Sequence, residues 1–216
     1  MAIVGGTGRG KSSILKLIAR LYDATYGEVL VDGVNVKDLP LKKLRSLIGY
    51  VPQKNVLYSG SIGDNLNFGV DNGSKDMWQR AVDIACASEV VDGKNAGFEE
   101  VVAQGGTNFS GGQKQRLCIA RAIMKRPEIY IFDDSFSALD VKTDRQLREN
   151  IKENLKGSTI VMVAQRLSTI MEADKILLVD DGMIVACGNH KQLLKECELY
   201  REMAKIQLGE EAIANE

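Results

Sequence analysis

The sequence contains little that points to a membrane, a nucleic acid or secretion. No apolar run approaches the roughly 18 to 20 residues of a membrane-spanning helix, and the first residues lack the basic-then-apolar pattern of a signal peptide. The 28 bases and 29 acids nearly cancel to a net charge of −1. This balance gives no electrostatic case for a nucleic-acid partner or for binding to an anionic membrane surface.

Cysteine and histidine are also scarce. The 4 cysteines (Cys86, Cys118, Cys187 and Cys197) are scattered and form no CxxC pair, which favours reduced, buried thiols over disulfides or a metal site. The 1 histidine, His190, lies before a C-terminal helical segment. We expect it to be a helix cap or a surface contact rather than a catalyst.

Apolar runs typical of buried strands alternate with segments of helical spacing, which predicts an α/β fold with a parallel-sheet core. Strands are predicted at residues 2–5, 27–33, 48–53, 129–132, 159–164 and 175–182. Helices are predicted at residues 12–23, 77–91, 112–126 and 142–155. We expect a single domain with its core at about 1–57 and 127–207, an inserted helical subdomain at about 58–126 and a polar tail at 208–216.

The segment GGTGRGKS at residues 5–12 fits the phosphate-loop pattern G-x-x-x-x-G-K-[ST], with a strand before it and a helix after it. Glycines let the backbone N–H groups approach phosphate oxygens, and the helix directs its positive end to the same place. Lys11 is expected to reach the β- and γ-phosphates, and the Ser12 hydroxyl to bind Mg²⁺. The residues predicted to bind ATP in this segment are Gly5, Gly6, Thr7, Gly8, Arg9, Gly10, Lys11, Ser12 and Ser13.

Two adjacent acids follow the apolar run IYIF at residues 129–132. Neighbours on an extended chain point in opposite directions, so Asp133 and Asp134 are expected to do different jobs. A phosphate loop needs an acid at the end of a buried strand to hold Mg²⁺, which predicts that role for Asp133. Asp134 then occupies the position of a general base that orients the attacking water.

The motif SGGQ at residues 110–113, followed by a basic helix and then by IYIFDD, resembles the signature of ATP-binding cassette (ABC) proteins. By itself SGGQ could be a helix-capping turn, since Ser110 is a good N-cap residue. The ordered set is more specific: the phosphate loop, YVPQ with Gln53, SGGQ, IYIFDD and SALD at residues 137–140. The resemblance covers residues 1 to about 207 and implies a P-loop NTPase with a RecA-like core and a helical subdomain.

The resemblance also implies cofactors and partners, namely ATP, Mg²⁺ and a second cassette bound head to tail. Each ATP of such a pair lies between one phosphate loop and the other chain's signature, so the signature here would serve the partner's nucleotide. Gln53 would contact Mg²⁺ and the attacking water, and its loop would respond to the membrane domain. The implied signature residues are Ser110, Gly111, Gly112 and Gln113, and the D-loop residues are Ser137, Ala138, Leu139 and Asp140.

The phrases GYVPQKNVLYSGSIGDNL and VAQRLSTIMEADKILLVDDGMI resemble the exporter branch, in which the cassette is fused to membrane helices. The resemblance therefore implies an ATPase that powers export, of a multidrug or lipid type, at the cytoplasmic face of a membrane. An importer cassette with separate membrane subunits is the less similar alternative. A DNA-repair cassette is excluded because the segment between phosphate loop and signature is too short for a long coiled coil.

Three features depart from a fully active cassette. The base position is usually Glu and here is Asp134, and a histidine that contacts the γ-phosphate is replaced by Gln165 in AQRLST. The family also has β-strands before the phosphate-loop strand, with an aromatic that stacks on adenine, and no residue here can be assigned to that role. Asp is one methylene shorter than Glu, and Gln carries no charge, so both changes weaken catalysis.

These departures lead to two hypotheses about turnover. The first is the slow, degenerate half of a heterodimeric exporter, which binds ATP with Mg²⁺ and hydrolyses it weakly. The second is a nucleotide-dependent binding or regulatory module with negligible turnover. A sensitive ATPase assay of the assembled pair would distinguish them.

Overall fold

The computed structural model describes residues 1–210 of the chain, and these divide into two compact units. Of the described residues, the first unit holds 1–45, 131–134 and 159–210. The second unit holds residues 46–130 and 135–158. In sequence, the second unit is thus inserted between segments of the first.

The strands are β1 (Ala2–Val4), β2 (Leu30–Val31), β3 (Val34–Asn35), β4 (Ile48–Val51), β5 (Gly60–Ser61), β6 (Val101–Val102), β7 (Ile129–Asp133), β8 (Thr159–Val163), β9 (Ile176–Asp180) and β10 (Met183–Gly188). The α-helices are α1 (Lys11–Ile18), α2 (Leu41–Leu47), α3 (Ile62–Leu66), α4 (Lys75–Ile84), α5 (Ser88–Asp92), α6 (Gly111–Met124), α7 (Val141–Asn154), α8 (His190–Glu196) and α9 (Glu198–Leu208). Short 3-10 turns lie at Gly97–Glu99, Gln104–Gly106 and Leu167–Thr169.

The first unit is built on a mostly parallel sheet in which the strand order is β10-β9-β1-β8-β7. Strand β1 lies between β8 and β9 and pairs in parallel with both, with Ile3 opposite Val163 and Leu177. All three β1 residues are buried, as expected for a central strand covered on both faces. The carboxyl ends of β1, β7 and β8 therefore lie at one edge of the sheet, the edge where ligands bind in open α/β folds.

Helices α8 and α9 close the hydrophobic core of this unit. Leu193 of α8 and Tyr200 and Ala204 of α9 pack in one cluster with Leu178 of β9 and Leu167. Tyr200 and Ala204 are fully buried. This packing places α9 beside the chain that leaves β8.

The second unit is rich in helices, and most residues of its long helix α6 are buried. Leu117, Ile119 and Ala120 of α6 are buried among the apolar faces of the unit. The guanidinium of Arg116 forms an ion pair with Glu89 at 2.8 Å. Helix α6 thus gives a fixed base to its first turn, where the signature lies.

The predicted α/β fold is confirmed, and the main strands lie where the apolar runs predicted them. Two details differ. Residues 77–91 form two helices rather than one, because Cys86 adopts a left-handed φ of 52° between α4 and α5. Strand β10 was not predicted, since it is an antiparallel edge strand with mostly exposed side chains and lacks a buried apolar pattern. The proposed division into core, subdomain and tail stays a prediction, and residues 211–216 of that tail lie outside the described residues.

Candidate active site

The phosphate loop connects β1 to α1 in the first unit. A Cβ on Gly5 would lie 2.0 Å from the carbonyl oxygen of Val179, so the chain can pass β9 here only as glycine. Gly8 and Gly10 have φ of 76° and 92°, and Gly10 caps the N-terminus of α1 in a left-handed conformation. The four residues from Gly6 to Arg9 are exposed. The loop therefore forms an open cradle at the positive end of α1.

Lys11 is the first residue of α1 and lies buried against the loop. Its Nζ donates to the carbonyl oxygens of Gly5 at 2.8 Å and Gly6 at 2.6 Å. Burial lowers the pKa of the Lys11 ammonium, and the charges of Asp134 and Asp133 partly oppose that change. One buried cation and two acids thus share a small volume beside the loop.

Ser12 and Asp133 meet at the carboxyl edge of the sheet. The Ser12 hydroxyl donates to Asp133 Oδ1 at 2.7 Å, although the two residues are 121 positions apart. Asp133 ends β7 and is only 3% exposed, so strand packing fixes its position. A hydroxyl and a carboxylate are the hard oxygen ligands that Mg²⁺ prefers.

Residues 1–210 contain no group of three or more His, Cys, Asp or Glu side chains that could hold a metal ion. Mg²⁺ is usually bound by one or two protein ligands together with waters and substrate phosphates. The pair of Ser12 and Asp133 beside a phosphate cradle is therefore compatible with Mg²⁺ and a nucleotide.

Asp134 follows the last residue of β7 and has a different partner from Asp133. Its φ of 49° is left-handed, and its N–H donates to the carbonyl oxygen of Val163 at 3.1 Å. Its carboxylate accepts a hydrogen bond from Gln165 Nε2 at 2.7 Å. The two acids contact different partners, as expected. The cause is the left-handed backbone turn at Asp134, and not the alternating side-chain directions of an extended strand.

The sequence analysis did not predict the contacts of two residues around this site, Arg9 and Gln207. Arg9 of the loop pairs with Asp180 and Asp181, each at 3.3 Å, in the turn between β9 and β10. Gln207 of α9 bonds to the backbone of Gln165. The pair of acids after the apolar run ILLV could have indicated a partner for a loop cation, whereas nothing in the local pattern identified Gln207.

Gln53 and the signature lie in the second unit. Gln53 is exposed, just beyond the end of β4. Ser110 caps α6: its Oγ accepts from the Gln113 N–H at 3.2 Å, and Gln113 Oε1 accepts from the Ser110 N–H at 2.9 Å. The helix-capping alternative is thus realised, and it leaves Ser110 and Gly111 exposed at the positive end of a helix.

The D-loop segment follows β7 in the same unit. A Cβ on Gly112 of the signature would lie 3.5 Å from the carbonyl oxygen of Ala138, so the two segments are in contact. Asp140 caps α7 by accepting from the Thr143 N–H at 3.0 Å. Hydrogen bonds from Thr143 lower the pKa of the Asp140 carboxyl. Ser137 and Ala138 are exposed, while Leu139 is buried.

His190 differs from the expectation. It is buried at the start of α8, where Asn189 provides the cap, and its Nδ1 lies 2.7 Å from the Tyr200 hydroxyl. It is therefore a core side chain, neither a cap nor a surface contact.

In residues 1–210 we find no helix with the length and apolar character needed to span a bilayer.

The chain is similar to known proteins over nearly its whole length. The family model described as "ABC transporter" matches residues 1–137. An uncharacterized ABC transporter ATP-binding protein of Mycobacterium tuberculosis is 47% identical, covering 95% of this chain and 36% of that protein. The ATP-dependent lipid A-core flippase of Vibrio vulnificus is 38% identical, covering 97% of this chain and 36% of that protein.

A solved structure described as a bacterial Atm1-family ABC exporter with ATP bound aligns with a TM-score of 0.91 and 36% identity. The alignment covers 95% of this chain and 36% of the exporter chain. The chain thus spans about a third of the length of these relatives.

Proposed function

The chain belongs to the ABC transporter family, and on that basis we propose that it is the ATP-binding and ATP-hydrolysing cassette of an exporter. The observation that carries the proposal is the 2.7 Å bond between Ser12 and Asp133, which joins the phosphate loop to the acid at the end of β7. The similarity to a lipid A-core flippase and to an Atm1-family exporter supports the exporter assignment. Such a cassette would work at the cytoplasmic face of a membrane, attached to transmembrane domains.

ATP binding is assigned to the loop and to α1. The backbone of Gly6 to Gly10 would surround the phosphates, and Lys11 would exchange its bonds to Gly5 and Gly6 for phosphate oxygens. Ser12 and Asp133 would hold Mg²⁺, which neutralises charge on the phosphates when it is bound. A role of Gln53 at this ion stays a prediction.

Hydrolysis is assigned to Asp134 and Gln165. In the reaction, water attacks the γ-phosphorus and the bond to the β-phosphate oxygen breaks, giving ADP and phosphate. Asp134 would orient the water and accept its proton, and Gln165 would contact the γ-phosphate. Gln165 already donates to Asp134 at 2.7 Å, so this carboxylate is held in one orientation.

We assign a slow rate to this site. Asp brings its carboxylate about 1.5 Å less far than Glu would, which is more than the width of the range of about 2.6–3.2 Å within which a base must lie from its water. Gln165 can donate a hydrogen bond but adds no positive charge to the transition state. Since one acid-base contribution is typically worth about 10²–10⁴ in rate, two weakened positions leave binding intact and turnover low.

The partner proposed for this chain is a second, different cassette in a head-to-tail pair. The motif at Ser110 to Gln113 is intact, and Ser110 and Gly111 are exposed at the N-terminus of α6, where they could contact the partner's nucleotide. The weak residues and the intact signature belong to different sites of such a pair. A heterodimer with one slow and one fast site accounts for this combination.

A binding module without turnover is the second candidate, and the bond between Gln165 and Asp134 favours it. A carboxylate oxygen that accepts from an amide is less available to accept a proton from water. Loss of turnover with retained Mg²⁺–ATP binding would support this candidate over a slow ATPase.

The test is the double change Asp134→Glu with Gln165→His in the complete transporter, with the partner's own site disabled. Restoring the longer base and a histidine should raise single-turnover hydrolysis at this site by at least about tenfold, or about 1.4 kcal/mol in the barrier. Asp134→Asn is the matched control, because it keeps the short side chain at a left-handed position and removes the base. No gain in the double variant would reject the assignment of these two residues as the cause of slow turnover.

A further inference from the structure

The side chain of Gln207 in α9 forms two hydrogen bonds to the segment that carries Gln165. Gln207 Oε1 accepts from the Leu167 N–H at 2.8 Å, and Gln207 Nε2 donates to the Gln165 carbonyl oxygen at 3.1 Å. An amide side chain has both a donor and an acceptor, so one residue can satisfy both ends of this short segment. Gln207 lies about forty positions further along the chain.

The two residues whose backbone Gln207 contacts differ in burial. Leu167 is fully buried in the core cluster that also holds Tyr200 and Ala204, so α9 and the start of the 3-10 turn are held by packing. Gln165 is exposed, one residue beyond the buried Ala164 that follows β8. The bonds of Gln207 therefore join the exposed Gln165 to a helix that is held by core packing.

We infer that Gln207 is a positioning residue for hydrolysis, acting through Gln165 on Asp134. The bonds form a continuous series: Gln207 holds the Gln165 backbone, and Gln165 Nε2 then reaches Asp134 Oδ2 at 2.7 Å. Because small displacements of a catalytic group are costly, fixing this backbone fixes where the Asp134 carboxylate points. The inference rests on the proposed ATPase function of the same site.

A purely structural role is the alternative. Gln207 is exposed, so water can replace its bonds and the core beneath Leu167 does not depend on it. A structural role would change stability by the same amount whatever residue stands at position 165. A positioning role would change the rate only while Gln165 is present. This difference makes the two roles separable.

The variants are Gln207→Met, which keeps the length and removes both bonds, and Gln207→Glu, which keeps the acceptor for Leu167 and loses the donor to Gln165. Lys205→Met, at an exposed position of the same helix, is the matched control. In the complete transporter, with the partner's own site disabled, we expect Gln207→Met to lower kcat about three- to tenfold at unchanged KM for ATP, with Gln207→Glu intermediate and Lys205→Met unchanged.

The decisive comparison is a double-mutant cycle with Gln165→Ala. Once Gln165 is truncated, adding Gln207→Met should cause no further fall in kcat, because the two residues act in series. An equal fall in both backgrounds, or an unchanged kcat in Gln207→Met, would overturn the positioning role.

Two readouts do not depend on activity. Amide hydrogen exchange at Leu167 should become faster in Gln207→Met, and the side-chain amide resonance of Gln165 should shift. If the wild-type protein hydrolyses no ATP, the proposed function fails, and these two readouts then decide whether Gln207 positions Gln165. An unmoved Gln165 resonance would refute the positioning in either case.

Discussion

At the scale of single residues, the site depends on how charges are placed around one buried lysine. Lys11 is held by two loop carbonyls, and Asp133 and Asp134 oppose the effect of its burial. Asp133 accepts a hydrogen bond from Ser12, and the next residue, Asp134, accepts one from Gln165. The two adjacent acids therefore have different partners. The left-handed backbone of Asp134 produces that separation.

Lys11→Ala should weaken Mg²⁺–ATP binding by at least about tenfold, because it removes the cation expected at the β- and γ-phosphates. Isothermal calorimetry of wild type and variant measures the difference directly. Lys16→Ala on the same helix removes a cation away from the loop and should leave the affinity unchanged. Equal affinities for wild type and Lys11→Ala would contradict the phosphate-loop assignment.

Tyr130 should make the protein less stable at alkaline pH. Burial raises the pKa of its hydroxyl to about 12. The hydroxyl of the unfolded chain ionises at about 10, so above that pH the unfolded state loses its proton first and the free energy of unfolding falls as pH rises. The loss attributable to Tyr130 should be about 1.4 kcal/mol at pH 11 and larger at pH 12.

Urea unfolding at pH 8 and pH 11 measures this loss. Tyr130→Phe should show a smaller decrease between the two pH values than wild type, since it has no hydroxyl to ionise. Tyr26→Phe, at a 91% exposed position, is the control and should behave as wild type. An identical pH dependence in Tyr130→Phe and wild type would contradict the assignment.

At the scale of elements, caps determine where the functional helices begin. Ser110 and Gln113 form a reciprocal capping box at α6, and Asp140 caps α7 next to the D-loop. The same serine that starts α6 is the first residue of the signature. A cap of this kind is worth about 1 kcal/mol, and the helix N-terminus it exposes favours an anion.

Ser110→Ala and Ser110→Asp separate the two roles of this serine. Ser110→Ala should lower the free energy of unfolding by about 1 kcal/mol, whereas Ser110→Asp keeps a good cap and should leave it nearly unchanged. In the pair, Ser110→Asp should nevertheless abolish most ATPase activity, because a carboxylate would face the phosphates of the partner's nucleotide. Urea unfolding and steady-state ATPase activity provide the two measurements. If Ser110→Asp retains activity, the serine acts only as a cap.

At the scale of the whole molecule, the chain is similar over nearly its full length to about a third of an exporter. Asp134 and Gln165, which we propose slow hydrolysis, lie with the chain's own phosphate loop in the first unit, while its signature lies in the second. In a pair of identical chains both sites would be weak. A different partner with Glu and His at the matching positions would form one strong site with this signature.

The proposed difference in rate between the two ATP sites predicts unequal effects of two substitutions in the assembled pair. Ser110→Arg should remove most steady-state ATPase activity, because it blocks the strong site, whereas Asp134→Asn should remove little, because it affects the site that is already slow. Steady-state phosphate release from the purified pair measures both. If Asp134→Asn abolishes turnover as completely as Ser110→Arg, the two sites are equivalent and a homodimer is favoured.

Local sequence determined the elements and most of the candidate residues of this protein. Strand, loop and helix around Lys11 follow from a short apolar run, glycines that alone permit the backbone course at Gly5, and helical spacing after it. The same holds for β7 and Asp133, because a buried parallel strand is recognisable from an unbroken apolar run. These features depend on residues that are adjacent in sequence, and the sequence alone therefore predicts them.

Only the tertiary structure decided which distant residues meet. Ser12 bonds to Asp133, Arg9 to Asp180, and Gln207 to the segment behind Gln165, because the parallel order β9-β1-β8-β7 and the packing of α9 bring their backbones together. No local pattern carries that information, since such contacts join residues far apart in sequence. The left-handed turn at Asp134 belongs here too: the bond from its N–H to Val163 on the neighbouring strand directs its carboxylate to Gln165.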